Sequence, residues 1–226
     1  MLVAIDTSTD NASLALAQDS QILAELTWHC DRNHSVELLP QLGYLLNQAK
    51  LDLKSISGII VARGPGSFNG LRVGISIAKG LAFSLGIPII GISTLEVAAY
   101  QHAETSLPIC SILNAGRGEI ATAMYQQKGN QWLALAAEYI TTVDTLCSET
   151  NTKTIFCGEF VPVIAEQLRR QFKRRVVIPL LASALRRGGY LAELGRQRFE
   201  AGEFDDVATL QPLYLRRPHI TKPKHR

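Results

Sequence analysis

Gly58-Ile59-Ile60-Val61-Ala62-Arg63-Gly64-Pro65-Gly66-Ser67-Phe68-Asn69-Gly70-Leu71-Arg72 is the stretch on which the fold turns. Its first five residues are apolar without alternation, which predicts a strand buried on both faces, as in a parallel sheet. A glycine-rich loop over 64–70 follows, then a helix from about Gly70 to Leu85, with Gly86 as its C-terminal stop. The loop therefore meets a helix N-terminus, where free backbone N–H groups and the helix dipole favour an anion. It is not a dinucleotide fingerprint, because that motif needs glycine where Asn69 stands. It is not a P-loop either, since no Gly-Lys-Ser/Thr closes it. Gly66, Gly70, Gly74, Ala78 and Ala82 recur four residues apart, a stripe without side-chain bulk. Glycine inside a helix costs about 1 kcal/mol relative to alanine. Keeping Gly74 and Gly80 points to close packing, within the fold or across a subunit interface.

Outward from this stretch the same grammar runs twice. Leu2–Ile5, Ala12–Ala17 and Ile22–Thr27 read as strands, and Ser35–Ala49 as an amphipathic helix in which Pro40 marks a kink or a late start. The strand and helix above come next, followed by a strand over Pro88–Ile92 and a short helix over Thr94–His102. The second round has strands Pro108–Leu113, Glu119–Tyr125 and Trp132–Tyr139 and a short helix Val143–Ser148. It continues with strand Thr154–Cys157, helix Val161–Phe172, strand Arg175–Ile178 and helix Leu181–Glu200. Three strands, helix, strand, helix, repeated, predicts a duplicated α/β architecture with a boundary near 103–107.

The 226 residues are 46% apolar and 19% charged, enough to bury a core and too apolar for disorder. The longest stretch without an ionisable side chain, Lys79 to Glu96, contains Pro88 and is too short to cross a bilayer. Met1-Leu2-Val3-Ala4-Ile5-Asp6 reaches a carboxylate before a signal-peptide core can form, so a soluble intracellular protein is expected. Cys30, Cys110, Cys147 and Cys157 form no C-x-x-C pair and the five histidines no H-x-x-x-H, so no metal site is legible. Charge is uneven: residues 1–159 carry 9 Lys+Arg and 14 Asp+Glu, residues 160–226 carry 14 and 6. The basic last third suits a phosphate-rich partner such as RNA, with Arg174 and Arg175 as candidate contacts. The alternative is a set of solvated helix faces and a basic tail.

Asp6-Thr7-Ser8-Thr9, at the end of the first strand, is the other loop that could do chemistry. Its carboxylate and hydroxyls could hold a metal-bound phosphate, or form a tight turn bonded to nearby amides. Asp6, Thr7 and Ser8 with Gly64, Gly66 and Ser67 make the phosphate-loop-like set.

These two loops, together with Gly91-Ile92-Ser93-Thr94-Leu95, Asn114-Ala115-Gly116-Arg117-Gly118-Glu119 and Pro212-Leu213-Tyr214-Leu215-Arg216, resemble the bacterial TsaB (YeaZ) family, in order and over essentially the whole chain. The resemblance implies a duplicated actin-like (ASKHA) fold of two βββαβα-type halves. Residues 1–105 would be the N-terminal half with partner-binding helices, and 106–226 the C-terminal half with a basic tail. It further implies a cytoplasmic, non-catalytic subunit of the machinery that makes N6-threonylcarbamoyladenosine beside the anticodon of tRNAs. The family pairs with its catalytic paralogue TsaD and recruits the ATPase TsaE. Alone, such a chain would form a homodimer through the same surface, and it would meet tRNA indirectly, through the complex. No catalytic residue, metal or intrinsic cofactor is implied, and ATP or ADP would belong to the interface of the assembled complex. Leu39, Leu42 and Leu46 of the first helix, with Gly70, Gly74, Ile77 and Ala78 of the glycine-rich helix, are the expected interface residues.

The catalytic paralogue carries H-x-x-x-H where this chain has Thr94 and Ala98, whose hydroxyl and methyl cannot replace imidazole ligands. Asn69 departs from the family's usual threonine, and Asn114 from a carboxylate that helps hold metal-bound phosphates in actin-like kinases. Two other readings remain at this stage. One is a free-standing actin-like phosphotransferase, or a peptidase-like enzyme; the other is an RNA-binding module.

Overall fold

The structure, a computed structural model, describes residues 1–31 and 33–216; the basic tail expected over 217–226 lies outside the described residues. The first sheet is built from β1 (Leu2–Asp6), β2 (Asn11–Gln18), β3 (Gln21–His29), β4 (Gly58–Gly64) and β5 (Ile89–Ser93) in the order β3-β2-β1-β4-β5. The second holds β6 (Ile109–Gly116), β7 (Glu119–Lys128), β8 (Gln131–Thr141), β9 (Thr154–Cys157) and β10 (Val176–Val177) in the order β8-β7-β6-β9-β10. In each, the first three strands pair antiparallel and the last two add in parallel. The two halves therefore share one topology, and the fold is the duplicated α/β arrangement expected.

Helices cover both faces of the first sheet. α1 (His34–Gln48) and α2 (Phe68–Leu85) bury Leu38, Leu42, Leu45, Ile75, Ala78 and Ala82 against Val3, Ile5, Leu14, Leu16, Ile59 and Val61 on one face. The other face receives α6 (Gly188–Glu200), through Leu191, Ala192 and Leu194 on Ala4, Ala15, Ile60 and Ile90. This two-sided cover explains why β2 is buried from Ala12 to Ala17 without alternation. On the second sheet α4 (Val143–Glu149) and α5 (Val161–Phe172) cover one face through Leu146, Leu168 and Phe172. α3 (Thr94–Tyr100) joins the halves, with Val97 in the first sheet's core and Leu95 and Ala99 in the second's.

Most boundaries shift by a few residues from expectation, and two differences bear on the site or on a stated reading. α1 starts at His34 and continues through Pro40, so the proline is interior rather than a late start. The expected helix Leu181–Glu200 is broken into a 3-10 turn at Leu181–Ser183 and α6. The break at 184–187 carries Arg186 inward, and that side chain is the centre of the site described next.

Candidate functional site

The turn after β1 is held from above and below. Thr7 donates its hydroxyl to the Gly70 carbonyl at 2.8 Å, and Ser67 N–H bonds the Ser8 carbonyl at 2.7 Å. A Cβ on Gly66 would overlap the Ser8 carbonyl, one on Gly70 the Thr7 carbonyl, and one on Gly74 the Thr7 hydroxyl. The small-residue stripe of α2 is thus explained within the fold: it admits the β1–β2 turn against the helix. Ser67 caps α2, its hydroxyl accepting from Gly70 N–H. Gly64, at φ 111°, lies against Leu213. The two sequence-predicted loops do come together, but their donors and acceptors are bonded to one another.

The Asp6 carboxylate is fully engaged. Its Oδ1 accepts from Ser8 N–H at 2.8 Å and from the Ser8 hydroxyl at 2.5 Å. Its Oδ2 accepts from Arg186 Nε at 2.9 Å. Arg186 also donates from Nη1 to Glu159 at 2.8 Å, and from Nη2 to the hydroxyls of Ser8 at 2.9 Å and Thr9 at 3.1 Å. Thr9 and Asn11 complete the network on Glu159 Oε2, at 2.8 and 3.1 Å. Asp6 and Arg186 are 1% and 2% exposed, so this is a buried ion pair. Burial by itself would raise the Asp6 carboxyl and lower the Arg186 guanidinium. The opposing charges and hydrogen bonds outweigh it, holding Asp6 below the usual carboxylate value and Arg186 above the usual guanidinium one.

A cleft of about 620 Å³ opens beside this network, between the halves, lined among others by Asn11, His29, His34, Ser67, Asn69 and Asn114. Buried His34 donates its Nε2 hydrogen to the Thr9 carbonyl at 2.8 Å, and Asn114 accepts from Gly116 N–H. A metal-bound phosphate held through Asp6, the use that the sequence left open for this loop, would have to sit beside this network. These residues do not fit that group: a divalent cation would have to expel a guanidinium from Asp6, and Asn114 offers an uncharged amide. Thr94 and Ala98, where the paralogue's imidazoles stand, are buried in α3. Among the described residues no three His, Cys, Asp or Glu side chains gather as a metal-binding group.

The other expected residues divide by burial. Leu42, Leu46, Gly70, Gly74 and Ala78 are buried inside this chain, Ile77 is partly buried, and Leu39 is exposed. Also exposed on the same two helices are Val36 and Tyr44 of α1 and Phe83 of α2, with Phe83 82% exposed. Arg174 is exposed, whereas Arg175 bonds the Thr150 carbonyl and lies over the Phe172 ring. Sequence reading missed Arg186 and Glu159, because Arg186 finds Asp6 180 residues away, Glu159 finds Thr9 150 residues away, and no motif connects them. The signals present were weak: Gly188-Gly189 after Arg186-Arg187, and Gly158-Glu159 closing the β9 strand.

A family model described as TsaD: tRNA N6-adenosine threonylcarbamoyltransferase matches residues 22–221. The tRNA threonylcarbamoyladenosine biosynthesis protein TsaB of Bacillus subtilis is 33% identical over 95% of this chain and 93% of its own length. TsaB of Escherichia coli is 36% identical over 57% of this chain and 56% of its own. Among solved structures, YeaZ from Pseudomonas aeruginosa superposes with a TM-score of 0.79 at 23% identity, covering 94% of this chain and 99% of that one, a likeness of fold.

Proposed function

The chain belongs to the TsaD-type family of the matching model and, within it, to the TsaB proteins of tRNA threonylcarbamoyladenosine biosynthesis; from that premise we propose that it is the non-catalytic, partner-binding subunit of the modification complex. The observation that carries this reading is the exposed apolar surface of α1 and α2. Val36, Leu39, Tyr44 and Phe83 are 71%, 50%, 55% and 82% exposed on two helices whose inner sides are already packed on the sheet. Large apolar and aromatic side chains gathered on one layer are the usual anchors of a protein interface. Its partner is a TsaD-type paralogue bearing the equivalent helices, and without that partner a second copy takes its place. The heterodimer then recruits the ATPase TsaE, and the complex works in the cytoplasm on tRNA. Among the described residues no helix is long and apolar enough to cross a membrane.

A free-standing phosphotransferase would need Asp6 open toward a metal, and Arg186 holds it instead. The test mixes the chain with its TsaD-type paralogue and reads native mass spectra, alongside a tRNA-modification assay with and without this chain. A heterodimer and a chain-dependent reaction are expected. Leu39→Glu with Phe83→Glu should abolish the heterodimer and leave Tm within a few degrees of wild type. Full modification without this chain, or ATP turnover by the chain alone, would overturn the reading.

A further inference from the structure

Ten Lys and Arg residues lie between positions 160 and 216. Five of them form ion pairs: Arg186 with Asp6 and Glu159, Arg187 with Glu25, Arg196 with Glu200, Arg198 with Glu96, and Arg216 with Glu119. A sixth, Arg175, is tied to the Thr150 carbonyl and lies 5.7 Å from the Phe172 ring centroid. The four left over, Arg169, Arg170, Lys173 and Arg174, fall within one six-residue segment, on the last turn of α5 and the 3-10 turn after it. All four are exposed, and among the described residues none is in an ion pair. A carboxylate stands close by on α4, yet Asp144 accepts from the amides of Gln167 and Gln171, not from these cations. The negative end of the α5 dipole favours Arg169 and Arg170. It does not account for Lys173 and Arg174, which lie past the last helical residue, Phe172.

We propose that Arg169, Arg170, Lys173 and Arg174 form a phosphate-binding surface through which this chain contacts the RNA backbone directly. The inference rests on the tRNA-modification reading, which supplies the polyanion. Random surface decoration would scatter uncompensated charge, whereas here, among the described residues, every other cation between 160 and 216 is neutralised or engaged and the remainder is gathered in one segment. The nearest ring, Phe172, is buried, so no base stacks here and the contact is to phosphates, independent of sequence. The surface shares no residue with the apolar face of α1 and α2, so both can be engaged at once.

The test measures binding of an unmodified tRNA transcript to the assembled complex of this chain with its TsaD-type paralogue, over a range of KCl concentrations. The variant combines Arg169→Gln, Arg170→Gln, Lys173→Gln and Arg174→Gln; a control carries Lys50→Gln, Lys54→Gln and Lys128→Gln, exposed lysines elsewhere. Four phosphate contacts contribute about 3 to the slope of log K against log salt. Loss of about that much slope, with at least a tenfold fall in affinity at low salt and a control like wild type, is the expected result. Circular dichroism and native mass spectrometry establish that the variant is folded and assembled. An unchanged slope in an assembled, tRNA-binding variant complex overturns the surface and leaves the proposed function standing. So does a variant that binds tRNA normally but loses association with an acidic protein, because the cluster then serves a protein partner. A wild-type complex that assembles yet binds no tRNA overturns the underlying reading instead.

Discussion

Arg186 reaches four partners from a position with almost no contact with water, and the energy of that arrangement is a matter of completeness. Two opposite charges leaving water lose several kcal/mol of hydration each, and their attraction restores it only when the remaining donors and acceptors are bonded. Here Asp6, Ser8, Thr9 and Glu159 supply the acceptors. Removing one member leaves an uncompensated buried charge, so Arg186→Met should destabilise the chain by about 3–5 kcal/mol in urea unfolding. Asp6→Asn added to it should recover part of the loss, because neighbours sharing one network do not add. A cost below about 1 kcal/mol, as for exposed pairs, would show the network to be dispensable. Acid should act through the same carboxylate. Asp6 is held below its unfolded value, so its contribution is present above about pH 4 and is lost as pH falls through the folded value. Wild type should therefore lose stability on acidification more steeply than Arg186→Met with Asp6→Asn.

Helix α2 shows how far a pattern can be read and where it stops. The stripe of small residues was legible, and so was the cap, since Gly86 ends the helix at φ 65°. What the stripe packs against was not, because the turn it admits lies some sixty residues earlier in the chain. Two substitutions separate the roles that sequence leaves merged. Gly74→Ala would press a methyl onto the Thr7 hydroxyl and should cost about 1–3 kcal/mol, despite the better helix propensity of alanine. Gly80→Ala meets nothing within 4 Å and should stabilise by up to about 1 kcal/mol. Thermal melts of both decide the point, and equal signs would refute it. The strands and helices of both halves were legible for the same reason as the stripe: period and apolar runs are local. The broken last helix was not, because its interruption serves Asp6, on a strand at the other end of the chain. Arg175 likewise looked identical to Arg174 in sequence, and the Thr150 carbonyl and the Phe172 ring distinguish them.

On the scale of the whole molecule, the segment after α6 ties together what the duplication leaves separate. Asp205 pairs with Ile89 on the edge strand β5 and accepts from Gly91 N–H, so the exposed ladder of that edge is covered. Leu210 enters the first sheet's core, Lys79 donates to the carbonyls of Ala208 and Leu210, and Leu213 N–H bonds the Arg63 carbonyl at 2.7 Å. Tyr214 then stacks on Phe68, and Arg216 pairs with Glu119 at the start of β7, in the other half. The strap therefore anchors by burial on one sheet and ends by charge on the other. Its energy comes mainly from Leu210, whose truncation to alanine should cost about 2–5 kcal/mol. The Arg216–Glu119 pair is about one-third exposed and weak by comparison. The only two tryptophans in the chain are Trp28 on β3, packed on the first sheet's core, and Trp132 on β8, packed on the second sheet's core and on the α6 face of the first. Variants with Trp28→Phe or Trp132→Phe then follow one tryptophan site at a time during urea unfolding. In the full chain the two transitions should coincide, because α3, Arg186 and the strap couple the sheets. In a chain ending at Gly202 the Trp28 transition should move to lower urea and part from that of Trp132. Coincident transitions in the shortened chain would mean that α3 and the Arg186 network hold the halves together without the strap.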